Sequence, residues 1–339
     1  MLNVHVMGER GLNGLHDVAY IRLLKPLYLL ELDGEIRLTA SSDYKGYEQS
    51  DVFIVQRQWN IGMAMDKAED FIKYLKKSGK KFIYELDDNL LDNECICANT
   101  KNIIRNLIIN ADLVTVSTEE LANRLQSLNN KISIVPNYLS EAYIRNDNIK
   151  KNSLPIVSIG YMGTYTHQND LMMIKLPLTR LLNKYKNTVR LEILGITSDQ
   201  SIFSECTNVI YHDITDHSSY EKFWLYMKEN VFWDIGLAPL VLDDFTRCKS
   251  DIKFLDYTAL NICGIYSDHP AYNKTVSNQV NGIICKYSVD EWYYNLESLI
   301  RDKQKRDGIV QKARNTLLET RILENNYNCW LSLLRKVLE

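Results

Sequence analysis

Short apolar runs alternate with longer helical runs from one end of this chain to the other, and that alternation leaves few folds open. Strand-like runs fall at 4–7, 51–56 (DVFIVQ), 81–86 (KFIYEL), 113–117 (LVTVS), 132–135, 155–161 (PIVSIGY), 189–194, 209–212, 235–240 and 263–266. Helical runs fall at about 18–32, 64–77, 103–110, 170–185, 220–229 and 251–260. Pro26 predicts a kink or restart in the first of these, and Thr118 predicts the cap of a further helix opening T-E-E-L. The tail from about Ile309 predicts one amphipathic helix running to the end. Strands and helices in strict turn predict an α/β protein with parallel sheets and crossover helices.

The polar run at 145–153 (RNDNIKKNS) has the composition of a linker, and the strand-plus-glycine-loop pattern restarts after it. A chain of 339 residues suits two domains, here 1–150 and 151–320, with a terminal segment at 321–339. At 45% hydrophobic and 24% charged residues it is globular rather than disordered, and a net charge of -3 gives no basic field for nucleic acid. Seven cysteines, an odd number without scaffold spacing, predict reduced thiols in a cytosolic protein. The N-terminus shows no signal-peptide pattern, and no apolar run approaches the ~20 residues that span a bilayer. Lys73, Lys76, Lys77, Lys80 and Lys81 form either a solvated helix face or a peripheral contact with the anionic inner face of a membrane.

Residues 234–285 carry the most chemistry. A strand runs into a polar loop, then a helix with an acid at its middle, a second strand and the turn Asn281-Gly282. Lys249, Ser250 and Lys253 stand around the helix start, where free N–H groups favour phosphate. Lys249 and Lys253 are four apart, which on a helix aims both to one face; the alternative is two solvated lysines. Asp256, one turn on, is either a hydrogen-bond acceptor for a diol or a partner of those lysines. The turn 160–167 follows a strand, so Gly163, Thr164, Thr166 and His167 are candidates to meet a diphosphate or sugar. In the first half, Gly11 and Gly14 are candidates for a phosphate-facing loop, and Arg22 for an anionic acceptor or diphosphate. Asp87 and Asp88, at a strand end, either cap structure, orient and deprotonate an acceptor hydroxyl, or bind a divalent metal. The HDITDH cluster (His212, Asp213, Asp216, His217) suits a loop and helix cap better than zinc, and Pro136-Asn137 reads as a turn. No serine elbow, Walker loop or zinc-protease helix is present.

In order and spacing, YIRLLKPL (20–27), DVFIVQR (51–57), GKKFIYELDDNLLD (79–92), ADLVTVSTEELANRL (111–125), IVPNYL (134–139), IGYMGTYTHQNDL (159–171) and KSDIKFLDY (249–257) resemble the GT-B glycosyltransferases, and among them retaining family 4 enzymes of bacterial surface-polysaccharide synthesis. The resemblance implies two Rossmann-like domains facing each other across a cleft, with a C-terminal helix packing back on the first. It implies a hexosyltransferase that moves a sugar from a nucleotide-diphosphate sugar to a glycan or lipid-linked glycan, with retention, and with no resident metal or cofactor. Asp256 matches the family acid that holds the donor, commonly through ribose hydroxyls. Cys248 stands where the family has a second acid, eight positions earlier, and Gly163, Thr164, Thr166 and His167 stand where it has an Arg and Lys pair. Two other readings stay open: a nucleotide-sugar epimerase on the same domains, and a non-catalytic nucleotide-sugar-binding subunit, which Cys248 favours.

Overall fold

The structure is a computed structural model, and it describes residues 1–11, 14–15, 17–145, 156–195, 200–212 and 219–339. Among them the chain forms two sheets of six strands, each parallel throughout. The first compact unit comprises Met1–Tyr138, Arg247–Ser250 and Leu323–Glu339; the second comprises Leu139–Thr246 and Asp251–Ile322.

In the first unit, strands β1 (Leu2–Met7), β2 (Ile36–Ala40), β3 (Val52–Gln56), β4 (Lys81–Leu86), β5 (Leu113–Val116) and β6 (Ile132–Ile134) lie in the order β2-β1-β3-β4-β5-β6. Helices α1 (Lys25–Leu32), α2 (Met65–Ser78), α3 (Ala98–Asn110) and α4 (Glu119–Leu125) connect them. Side chains alternate between the two faces of β3: Val52 and Ile54 enter one core with Leu27 and Trp330, while Phe53 and Val55 enter another with Phe71 and Leu107. Both faces being covered explains why these strands read as unbroken apolar runs. Tyr20–Leu24 winds as a π-helix, and α1 restarts with Pro26 in its first turn, where a missing N–H costs nothing.

In the second unit, β7 (Val157–Met162), β8 (Val189–Leu194), β9 (Val209–His212), β10 (Ile235–Ala238), β11 (Cys263–Ser267) and β12 (Ile283–Cys285) lie in the order β9-β8-β7-β10-β11-β12. That is the Rossmann order. Its longer helices are α5 (Gln168–Met173), α6 (Lys175–Lys184), α7 (Tyr220–Asn230), α8 (Ile252–Ala259), α9 (Val289–Arg301) and α10 (Lys303–Thr320). The last helix, α11 (Asn328–Leu338), belongs to the first unit, and its Trp330, Leu331 and Leu334 pack with Val4, Val6 and Ile83.

Three expectations change. The units divide at Tyr138–Leu139, not near residue 150, because Leu139 bridges to Ile322 and Arg145 donates to the carbonyls of Met227 (2.7 Å), Val231 (2.6 Å) and Leu260 (3.0 Å). Most of the polar run read as a linker, 146–153, lies outside the described residues. The tail is broken rather than one helix, since α10 ends at Thr320 and Ile322 is taken up in the bridge to Leu139. The edge strand β2 and the three-residue β12 lack the long apolar run that marked the others.

Gly160 on β7 is required by its neighbour. A Cβ there would lie 1.7 Å from Cδ2 of Trp233, whose indole is held by a 3.1 Å hydrogen bond from Nε1 to Glu192. Glu192 also meets His212 (2.9 Å) and Arg190 (2.6 Å). Burial alone would raise the Glu192 carboxyl, but the His212 hydrogen bond and the Arg190 charge outweigh it and hold it below the usual range. Gly160→Ala is therefore expected to cost about 3 kcal/mol or more of stability by overpacking, read from the denaturant midpoint.

Candidate active site

In open parallel sheets, ligands bind beyond the carboxyl ends of the strands, where the strand order reverses. That point lies between β1 and β3 in the first unit and between β7 and β10 in the second. Each is crossed by a polar link; in the first unit its residues follow directly on the strands, and in the second they lie a few residues further on, Asp170 within α5.

In the first unit the link is Glu9, after β1, paired at 2.9 Å with Nη1 of Arg57, after β3. Arg57 has left-handed backbone (φ 50°), uncommon for a non-glycine residue, and its other guanidinium edge clasps Asp87 at 2.9 and 3.0 Å. Burial pushes the Asp87 carboxyl up, but Arg57 wins and holds it below the ordinary range. Asp87, expected among the groups that orient or deprotonate an acceptor, is thus an ion-pair partner whose two oxygens are already engaged. Asp88 Oδ1 lies 3.7 Å from Lys249 Nζ.

Arg22, expected to reach a phosphate or an acceptor, is buried instead. Its Nε meets Glu85 at 2.5 Å, Nη1 donates to Asn137 Oδ1 at 2.7 Å and Nη2 to the Val135 carbonyl at 3.0 Å. Glu85 also accepts from Gln56 Nε2 at 2.7 Å, and its carboxyl is raised by burial although Arg22 opposes this. Asn137 Nδ2 donates to Ser250 Oγ at 2.8 Å. Lys249 and Ser250 precede α8 and group with the first unit, so the expected helical pairing of Lys249 with Lys253 does not form. Cys248 is 3% exposed; burial pushes its thiol up to about 11, and its carbonyl accepts from Thr118 Oγ1 at 2.9 Å. Gly11 and Gly14 pair in a short antiparallel hairpin beyond β1.

In the second unit the link runs from His167 through Asp170 to Val241. His167 Nδ1 is 2.7 Å from Asp170 Oδ2, and Asp170 Oδ1 accepts from the Val241 N–H at 2.8 Å. Asp170 is 3% exposed. The Tyr161 hydroxyl at the end of β7 donates to the His167 carbonyl at 3.2 Å, while Lys253 Nζ stands 4.7 Å from the centre of the Tyr161 ring. Gly163 donates to the Leu194 carbonyl at 3.1 Å, and the hydroxyls of Thr164 and Thr166 are 2.8 Å apart and exposed. Asp256 on α8 is partly buried, and its Oδ1 has no hydrogen-bond partner among the described residues. Burial pushes its carboxyl up to about 8; Lys253 pulls it down and Asp251 adds to the rise. Asp251 itself is clasped by Arg321 at 2.6 and 2.9 Å.

The sequence reading of Lys253, Asp256, His167, Gly163, Thr164 and Thr166 thus falls on one strand-end rim of the second unit, while Arg22 and Asp87 are absorbed in buried ion pairs of the first. Glu9, Arg57 and Asp170 were not singled out. Asp170 had a signal, lying three residues after His167, but it read as a helix start. His212 is taken up by Glu192 and the Tyr226 hydroxyl (2.9 Å), and Asp213, Asp216 and His217 lie outside the described residues. Among the described residues no group of three His, Cys, Asp or Glu side chains is arranged to hold a metal. Of the lysine cluster, Lys76 donates to Asn110, Lys80 to the Ser50 carbonyl and Lys81 pairs with Asp112. No described helix is long and apolar enough to cross a membrane.

No protein-family model matches the sequence, and no curated protein matches it either. Solved structures do match. HepE of Anabaena in complex with UDP and glucose superposes with a TM-score of 0.70 over 99% of this chain and 100% of that one, at 11% identity. A glycosyltransferase from Rickettsia africae gives 0.68 over 100% and 98%, at 12% identity. The lipopolysaccharide outer core galactosyltransferase WaaB gives 0.59 over 98% and 100%, at 14% identity. The chain has the GT-B fold. At these identities the likeness carries the fold alone, so the chemistry rests on the residues just described.

Two variants test the geometry. Asp256 in the folded chain holds a proton up to about pH 8 that it would lose near 3.8 when unfolded, so folding loses stability as pH rises between these values and the penalty is constant above them. Asp256→Asn is expected to raise the melting temperature at pH 9 and change it little at pH 4. Arg22→Ala leaves Glu85 buried without its cation and is expected to cost about 3–5 kcal/mol, whereas Arg22→Met with Glu85→Leu costs less, as read by denaturant unfolding.

Proposed function

We propose that the protein is a glycosyltransferase that moves a sugar from a nucleotide-diphosphate sugar to a hydroxyl of a glycan or lipid-linked glycan in surface-polysaccharide synthesis, the second unit holding the donor. The observation that carries this is the placement of two basic side chains, Lys253 and His167, and an acid with an unpartnered oxygen, Asp256, on the strand-end rim of a sheet in Rossmann order. Full-length likeness to GT-B structures, one of them bound to UDP and glucose, supports it.

Glycosyl transfer breaks the bond from the anomeric carbon to the diphosphate and forms one to the acceptor oxygen. Charge accumulates on the leaving diphosphate, and fixed donors aimed there lower the barrier. In this reading Lys253, His167 and the Thr164 and Thr166 hydroxyls meet that charge without a resident metal, and Asp256 accepts from the ribose diol. Transfer is front-sided and retaining: the leaving phosphate oxygen takes the acceptor proton, and no enzymic nucleophile is required. On the acceptor side, Asp88 is the acid left for orienting a hydroxyl once Asp87 is committed to Arg57.

A thermal-shift screen against UDP, GDP, dTDP, CMP and their common sugars, with and without EDTA, tests the reading. A ligand at 100 times its Kd stabilises the native state by about 2.7 kcal/mol. The expected result is a shift with one nucleoside diphosphate that EDTA leaves intact and Lys253→Ala removes. No shift with any nucleotide would overturn it, and binding without turnover on any glycan would favour the non-catalytic subunit.

A further inference from the structure

We propose that Asp170 is a positioning residue that presents His167 as a cationic hydrogen-bond donor to the diphosphate of the sugar nucleotide. This rests on the donor-site reading of the second unit.

The geometry is that of a base with a buried orienter. Asp170 is 3% exposed and spends one oxygen on each neighbour: Oδ2 on His167 Nδ1 at 2.7 Å, Oδ1 on the Val241 N–H at 2.8 Å. The second bond ties the carboxylate to the loop after β10, and the first ties the ring to the loop after β7, so the pair spans the point where the strand order reverses. An ionised carboxylate only accepts, which obliges Nδ1 to carry a proton. The other ring nitrogen is then the one that gains a proton, and the imidazolium so formed lies beside a fixed negative charge that stabilises it.

Other charged and titratable groups lie on neighbouring elements of the same unit. Tyr161 on β7 donates to the His167 carbonyl, and Lys253 on α8 lies over the Tyr161 ring. Burial, and then the Asp170 charge, holds the Tyr161 and Tyr272 phenols neutral. Asp256, titrating at about 8, adds negative charge to the same unit as pH rises. The dyad therefore supplies a second cation in the same unit as Lys253, one that a histidine gains and loses with pH.

Asp170→Asn isolates this role. The amide oxygen can still accept from Val241, but its NH2 faces Nδ1, which must then be unprotonated. The ring proton moves to the far nitrogen and the imidazolium is disfavoured, the logic by which an Asp-to-Asn change in a catalytic triad fixes the wrong tautomer.

The test is calorimetric titration of the full chain with UDP-glucose, GDP-mannose and dTDP-glucose between pH 6 and 8.5, a range over which a diphosphate diester keeps constant charge. The wild type is expected to bind one of them about tenfold or more tightly at pH 6 than at pH 8.5, the size of one charge-assisted hydrogen bond. Asp170→Asn should keep its melting temperature and lose the dyad's share of that slope, and His167→Lys should keep only the dependence that Asp256 contributes. Asp256 remains in both variants, so any slope they lose belongs to the dyad. An unchanged slope in Asp170→Asn overturns this proposal and leaves the donor reading standing. Failure of all three sugar nucleotides to bind at any pH overturns the donor reading and this proposal with it.

Discussion

Parallel pairing with both faces covered is the constraint from which the rest of the chain follows. A strand buried on two sides has no solvent face on which to place charge, so polar chemistry is driven to the strand ends. Two glutamates break the pattern, and each is partnered. Glu85, fully buried on β4, is held by Arg22 and Gln56. Glu192 on β8 is held by Arg190, His212 and the Trp233 indole. Removing one partner leaves a charge that the sheet cannot solvate, which makes these pairs costly to break whatever their net worth when intact. Trp233 then dictates a glycine at position 160, so one buried carboxylate fixes backbone choice at the position paired with it on the neighbouring strand.

At the strand ends the two units solve the same problem differently. In the first, the groups beyond β1, β3 and β4 neutralise one another: Glu9 and Asp87 share Arg57. Acids in that state are poor bases, because the guanidinium that orients them also stabilises their ionised form. In the second, Asp256 keeps an oxygen without a partner and a carboxyl that burial drives toward neutrality. A group left unsatisfied in an otherwise well-bonded rim is where a ligand hydroxyl has most to offer. The polarity of the two rims is alike; what differs is how much of it is already spent within the protein.

The fold was legible because periodicity is a long-range signal carried by many residues. Runs such as DVFIVQ and KFIYEL have the length and apolar continuity of covered strands, and they appear as β3 and β4. IRLTA at 36–40 was passed over because an edge strand exposes part of its length and needs no continuous apolar run. The site was only partly legible, for a different reason. Lys253 and Asp256 sit one turn apart on a helix the sequence predicts, and local spacing suffices to pair them. Arg22 is paired with Glu85 and Asn137, which lie 63 and 115 residues away, and no local pattern distinguishes a buried ion pair of that kind from a surface arginine. Pairing Lys249 with Lys253 on one face needs a helix that holds both; α8 begins at Ile252, and Lys249 turns to Asp88.

Cys248 shows how the surroundings limit which acid a position can carry. Its thiol is buried, and burial, with the charges of Asp92 and Glu120, pushes it up to about 11. The same two acids would repel a carboxylate placed there, and desolvation would drive it toward the neutral form. A neutral, weakly polar side chain is what this pocket of the first unit tolerates, so the cysteine at 248 suits its neighbours.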